Sequence, residues 1–227
     1  MSEFDDYADS YTDAVQNSID FCGQELEYFT RRKAEHLLEI MRRNVGDPAR
    51  LSVLDVGCGV GATDALLASD VGDLHGVDMS SESVERARHR NPTVTYRAYA
   101  GEELPYADAS MDVAFAICVL HHVDVADRAA FVAELRRVVR PGGLVVVFEH
   151  NPYNPLTRKV VRDCPFDEGV VLIEQRTARN LLSEAGLRPF ESRYIIYFPF
   201  DKRFVAPVER KLGWLPLGAQ HYVAARR

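Results

Sequence analysis

Apolar positions repeat along the chain in two periods. Over residues 26–41, Ala34, Leu37, Leu38 and Met41 fall at i, i+3, i+4 and i+7, which predicts an amphipathic helix. Gly46, Asp47 and Pro48 break that pattern. Residues 51–55 form a short apolar run ending in Asp55, and Gly57, Gly59 and Gly61 follow at once. Residues 62–68 favour a second helix, and residues 73–78 a second strand that again ends in an acid, Asp78. Ser80 or Ser81 can cap the next helix, with Glu82 well placed in its first turn.

Residues 93–99 are β-rich. Residues 111–120 are almost continuously apolar, as expected of a strand covered on both faces. Phe131, Leu135 and Val138 mark a helix that stops at Pro141, Gly142 and Gly143, and residues 144–148 form a fifth buried strand. Thr177 can cap a helix carrying Ala178, Leu181, Leu182 and Ala185, closed by Gly186. Residues 194–198 and 221–225 supply the last two strands. Alternating strands and helices predict a single α/β domain, a doubly wound Rossmann-like sheet of seven mostly parallel strands with an antiparallel final strand. Residues 1–45 would form an N-terminal helical cap. Residues 151–176, with Pro152, Pro155 and Pro165, are too long for an ordinary connection and read as a lid or acceptor-binding insertion.

Composition narrows the partners. Of 227 residues, 47% are hydrophobic and 27% charged, ordinary for a globular chain. The net charge of −7 is uneven: residues 1–30 carry eight acids and no Lys or Arg, so the remainder is close to neutral. Nothing resembles the basic footprint of a nucleic-acid binder. No apolar run approaches the roughly 18–20 residues of a membrane span. The start lacks the basic residues of a secretory or transit segment. Four cysteines without a CxxC pair read as free thiols in a reducing cytoplasm.

In open α/β sheets, ligands sit beyond the carboxyl ends of the strands. That edge would hold Asp55 to Gly61, Asp78, Ala100 to Glu102, Cys118 to His122, and Glu149 to Asn151. The glycine turn alone fits two ligands. Gly57, Gly59 and Ala62 have dinucleotide spacing, and Asp78 stands where a ribose-binding acid belongs. Asp55, however, would repel a pyrophosphate and attract an ammonium, which favours S-adenosylmethionine over a nicotinamide cofactor.

At this point the sequence resembles the class I S-adenosylmethionine-dependent methyltransferases. The resemblance covers about residues 4–148. It rests on FDDYADSY at 4–11, LDVGCGVG at 54–61, GVD at 76–78, EELPY at 102–106, the stretch from Met111 and Asp112 to His121, His122 and Val123, and RVVRPGG at 137–143. The end of the chain, GWLPLGAQ at 213–220, looks like a branch that modifies small molecules, as in natural-product biosynthesis. The resemblance implies that Asp55, Gly57, Cys58 and Gly59 hold the methionyl end and that Asp78 accepts the ribose hydroxyls. Met79 would pack on adenine, with Gly101 and Glu102 nearby. Tyr7 or Tyr11 would close over the cofactor, and the backbone at Cys118 would line it beneath the sulfonium. One departure stands out: Ala100 occupies the position where the family usually has an acid for the adenine amino group.

For methyl transfer, a base near the methyl group favours a hydroxyl or carbon acceptor. His121, oriented by Glu149, is the expected base, with His122 and His150 as substitutes. Adjacent histidines on an extended chain point to opposite sides, so no metal is expected. Tyr194, Tyr197, Phe198 and Phe200 are candidates to wall the acceptor pocket. The expected activity is O-methylation of a natural-product or sugar-type hydroxyl, with S-adenosylhomocysteine as the other product. N- or C-methylation, an NAD(P)-dependent oxidoreductase and a non-catalytic binding module are the alternatives. The expected partner is a small-molecule acceptor, with neither nucleic acid nor membrane, and a homodimer is left open.

Overall fold

The computed structural model describes Gln16, residues 26–198 and residues 205–227. Tyr7, Tyr11 and Phe200 lie outside the described residues, as does most of the acidic N-terminal segment.

Helix α1 spans Leu26–Asn44. A 3-10 turn at Pro48–Arg50 leads into β1, Ser52–Val56. Then come α2 (Asp64–Leu67), β2 (Asp73–Asp78), α3 (Ser81–Arg90) and β3 (Thr95–Ala98). The second half holds β4 (Met111–Ile117), α4 (Arg128–Val138), β5 (Val139–His150) and α5 (Pro155–Asp163). It ends with α6 (Gln175–Glu184), β6 (Arg188–Ile195), α7 (Val205–Leu212) and β7 (Gln220–Arg226). The sheet order is β3-β2-β1-β4-β5-β7-β6. β7 runs antiparallel to both β5 and β6, and the other pairs are parallel.

The central strands are apolar on both faces because helices cover both. Along β1, Val53 faces a core shared with Leu37 and Met41 of α1, Phe115, Phe148 and Tyr222. Leu54 faces the opposite core, with Val132 and Leu135 of α4 and Leu182 of α6. The period-two alternation continues at Ala114 and Phe115 and at Val145 and Val146, so the sheet forms the middle of three layers.

Several boundaries differ from those read in the sequence. α2 is shorter than residues 62–68. Ser80 caps α3 as expected, its hydroxyl accepting from Ser83 N at 3.1 Å. Thr177 does not cap α6, which begins at Gln175 behind Glu174. Pro141 to Gly143 do not separate α4 from the fifth strand. β5 starts at Val139, and these residues form an irregularity opposite Asp112. Gly143 O accepts from Arg227 N, and Gly142 N donates to Arg227 O, so a contact from the chain end secures them. The sixth strand ends at Ile195, where residues 194–198 were expected. Ile196 takes a left-handed φ of 61° and turns the chain out of the sheet.

Candidate functional site

The C-terminal edge of β1 and β2 forms the first half of the site. Gly57 adopts φ 82°, and a Cβ there would stand 2.4 Å from the Val119 side chain. Only glycine lets this turn pass so close to the segment leaving β4. On the other side of the turn, a Cβ at Gly59 would meet nothing within 4 Å, so the loop is open to a ligand. Asp78 joins the turn to β2: Oδ2 accepts from Gly59 N at 2.8 Å and Oδ1 from Ser80 N at 2.9 Å. Met79 is half exposed and lies against Gly101, whose Cβ would meet its Cε at 2.8 Å. Ala100 and Glu102 are exposed.

Behind the turn, Asp55 and Asp64 are both buried. Tyr96 donates its hydroxyl to Asp64 Oδ2 at 2.8 Å, and Asn91 Nδ2 donates to Tyr96 and to Gly61 O, each at 2.8 Å. Burial and the facing Asp64 carboxylate hold Asp55 well above the usual carboxylate range. Burial pushes Asp64 up to about 7, against hydrogen bonds from Tyr96 and Asp55. Asp55 Oδ1 and Asp64 Oδ1 are buried without a hydrogen-bond partner, and a proton shared between the two carboxyl groups would relieve their repulsion. A cationic ligand group beside Asp55 would take over that role. The open glycine turn, the acid behind it and the pinned Asp78 therefore fit the amino-acid end and ribose of S-adenosylmethionine.

The second half of the site lies at the ends of β4 and β5. Cys118 leaves β4 with φ 57°, a left-handed conformation unusual outside glycine. Its N–H donates to Phe148 O at 2.8 Å, and its sulfur accepts from Gln220 Nε2 at 3.5 Å. The chain then folds into a turn instead of continuing extended. His121 and His122 consequently do not point to opposite sides: their rings stand 4.2 Å apart, centre to centre.

Glu149 organises this turn. Its Oε1 accepts from Leu120 N at 2.8 Å, and its Oε2 lies 2.5 Å from His121 Nδ1. A residue the sequence reading missed, Asp167, comes in from a 3-10 turn, Pro165–Asp167. Asp167 Oδ1 is 3.5 Å from His121 Nε2 and 3.4 Å from His122 Nε2. Both distances are too long for strong hydrogen bonds. Ligand-type atoms of His121, His122 and Asp167 all lie within 4.8 Å of one another.

Electrostatics divide the two histidines. Burial alone would lower His121, but the Glu149 charge, with the carboxylates of Asp167 and Glu149 in contact, pushes it up to about 10. Burial and the His121 cation push His122 down to about 4. His150, 5.3 Å from the His121 ring, is likewise lowered to about 4 by burial and by His121. His121 is thus an imidazolium with no exposed side-chain surface, while neutral His122 keeps 24% of its own.

The segment 151–176 delivers Asp167. Asn154 caps α5, accepting from Leu156 N at 2.9 Å and Thr157 N at 3.0 Å. Asn151 Nδ2 donates to Gly218 O at 2.7 Å, Asn154 Nδ2 to Leu217 O at 2.7 Å, and Thr157 Oγ1 to Ala219 O at 2.8 Å. These bonds clamp the segment to the loop before β7. The expected aromatic wall has structural duties. Tyr197 donates to Leu212 O at 2.6 Å, Phe198 O accepts from Tyr28 at 2.8 Å, and Tyr194 packs edge-on against His221.

A methyltransferase-domain family matches residues 54–147. Over 214 residues the chain is 36% identical to 27-O-demethylrifamycin SV methyltransferase of Amycolatopsis mediterranei, covering 88% of this chain and 75% of that protein. It is 37% identical over 108 residues to 2-methyl-6-phytyl-1,4-hydroquinone methyltransferase of Synechocystis, covering 46% of this chain and a third of that protein's length. The crystal structure of magnesium protoporphyrin IX methyltransferase from Synechocystis with bound S-adenosylhomocysteine shares the fold. Its TM-score is 0.61 at 16% identity, over 87% of this chain and 83% of that one. The chain belongs to the class I S-adenosylmethionine-dependent methyltransferases, and S-adenosylmethionine is the cofactor of that family. Among the described residues, no helix is long and apolar enough to cross a membrane.

Proposed function

We propose that the chain transfers a methyl group from S-adenosylmethionine to a hydroxyl oxygen of a small organic acceptor of the natural-product type. The observation that carries this reading is the partly exposed, neutral His122 beside the locked His121–Glu149 pair. The cofactor supplies an electrophilic methyl group on sulfur. His122 takes the acceptor's hydroxyl proton on the ring nitrogen turned away from Asp167 as the oxygen bonds to the methyl carbon and the carbon–sulfur bond breaks. Asp167 then faces the new imidazolium and stabilises it.

This assigns the base to His122, where the sequence pointed first to His121. Glu149 and Asp167 favour the protonated form of His121, and its side chain has no exposed surface, so His122 is the better placed of the two to take a proton from a ligand. His121 acts as a fixed positive charge that holds Asp167 and keeps His122 neutral. Asp55, Gly57, Cys58 and Gly59 hold the methionyl end, Asp78 the ribose and Met79 the adenine. Gly101 shapes the space beside Met79, and the backbone at Cys118 lines the sulfur. Segment 151–176 borders the acceptor cleft and carries Asp167 into it.

The identity to 27-O-demethylrifamycin SV methyltransferase supports a hydroxyl acceptor. The near-neutral charge outside residues 1–30 supports a small molecule over nucleic acid. Free thiols at Cys58, Cys118 and Cys164 suit a reducing cytoplasm. The test is S-adenosylhomocysteine formation with a panel of hydroxyl compounds and their deoxy counterparts. Product only with the hydroxyl compounds supports the reading, and equal product with both overturns it.

A further inference from the structure

His150 closes β5 and Gln220 opens β7, and the two are paired across the sheet. The features that fit the cofactor, the glycine turn, Asp78 and the backbone at Cys118, lie at the ends of β1, β2 and β4. β5 and β7 come next in the sheet, so His150 and Gln220 border the space left for the acceptor. The His150 ring stands 5.3 Å from the His121 ring, which stands 4.2 Å from that of His122. Proton transfer to His122 uses neither residue.

Gln220 is only 5% exposed. Its amide nitrogen lies 3.4 Å from His150 Nδ1 and 3.5 Å from Cys118 Sγ, and its Oε1 is buried without a partner. This orientation gives both amide hydrogens an acceptor and leaves one carbonyl unpaired. The reverse would orphan two buried donors, which folded chains avoid more strictly. An amide N–H can only donate, so Nδ1 of His150 accepts, and a neutral imidazole then carries its proton on Nε2. Burial and the His121 charge keep His150 neutral, lowered to about 4. Among the described residues, nothing is hydrogen-bonded to His150 Nε2, and that atom is not buried. The pair therefore presents one open, directed donor beside the two catalytic-site histidines.

We propose that Gln220 is a positioning residue that holds His150 in its Nε2–H form, and that His150 binds a carbonyl oxygen of the acceptor near the hydroxyl that is methylated. The inference rests on the O-methylation reading and narrows its acceptor to hydroxy-carbonyl compounds. A nitrogen that can only donate matches a carbonyl, which can only accept, and rejects an ammonium or amide N–H at the same place. One such bond turns the acceptor so that its hydroxyl faces His122.

Two measurements on the full chain test it. Nitrogen-15 NMR of histidine-labelled protein at neutral pH reads the tautomer, with His150 identified by its loss in His150→Phe. Wild-type protein should show the proton on Nε2, and Gln220→Met should admit the other form. A wild-type proton on Nδ1, or an unchanged tautomer in Gln220→Met, would overturn the positioning role. The second measurement is kcat/KM for the hydroxyacetophenones, each against the ethylphenol of the same substitution, which lacks only the carbonyl. Wild-type protein should favour the ketones roughly 10–100-fold, the scale of a buried hydrogen bond left unpaired. His150→Phe should erase that preference, and Gln220→Met should reduce it. Equal wild-type values, or a preference that survives His150→Phe, would overturn the carbonyl contact. Should the variants fail to fold, the wild-type tautomer and the wild-type preference decide. Absence of product from every hydroxyl compound would instead refute the O-methylation reading, on which the tautomer measurement does not depend.

Discussion

Glu149 Oε2 lies 2.5 Å from His121 Nδ1, and neither side chain has exposed surface. Glu149 favours the charged form of His121, and that charge adds to burial in lowering both His122 and His150.

The pair makes stability pH-dependent. Unfolded, His121 titrates near the ordinary imidazole value of about 6.5; folded, it is raised to about 10. Between those values the folded chain binds more protons, so stability falls as pH rises. The contribution is complete below the lower value and lost as pH passes the higher one. Melting temperature should therefore decline between about pH 7 and 10 in wild-type protein. Glu149→Gln should show a shallower decline, and parallel curves would contradict the pairing.

His122→Ala should reduce turnover roughly 10²–10⁴-fold with S-adenosylhomocysteine affinity unchanged, as expected for loss of a general base. Because His122 titrates near 4, its contribution to turnover should stay flat from about pH 5 to 8. A steep rise in kcat with a midpoint near 6.5, lost in His122→Ala, would mean that His122 is not held low.

Asp55 and Asp64 predict proton release on cofactor binding. Near pH 6 the free pair holds at least one proton, since burial raises both acids. The arriving α-ammonium favours the ionised form of Asp55 and expels a proton. Calorimetric binding enthalpies should therefore differ between buffers of unlike ionisation enthalpy, and Asp64→Asn should remove most of the difference. Identical enthalpies in wild-type protein would contradict the shared proton.

The spacing of His121, His122 and Asp167 also suits a cation, so chelation is informative. With His122 as the base, dialysis against EDTA should leave turnover unchanged. Loss of turnover, restored by a divalent ion, would convert the cluster into a metal centre.

The sequence reveals the central strands well and the edges poorly. β2 coincides with the run read from 73–78, because a strand covered on both faces carries its signal in its own residues. β6 is an edge strand of mixed exposure, so its pattern is weak, and the expected start at Tyr194 falls six residues after the observed one at Arg188. β5 is extended past Pro141 to Gly143 by contacts with Arg227, which no local window contains. Glu149 and His121 are legible because one ends an apolar strand and the other follows one closely. Asp167 is not: its approach depends on Asn151, Asn154 and Thr157 gripping residues 217–219 far along the chain.

The most direct measurement is the fate of a ¹³C-labelled methyl group. With labelled S-adenosylmethionine and a hydroxyl-bearing polyketide or sugar acceptor, the product's methyl carbon should resonate as an O-methyl in wild-type protein. His122→Ala should give only a trace of the same product. A methyl bound to nitrogen or carbon, or full product from His122→Ala, would contradict O-methylation with His122 as the base.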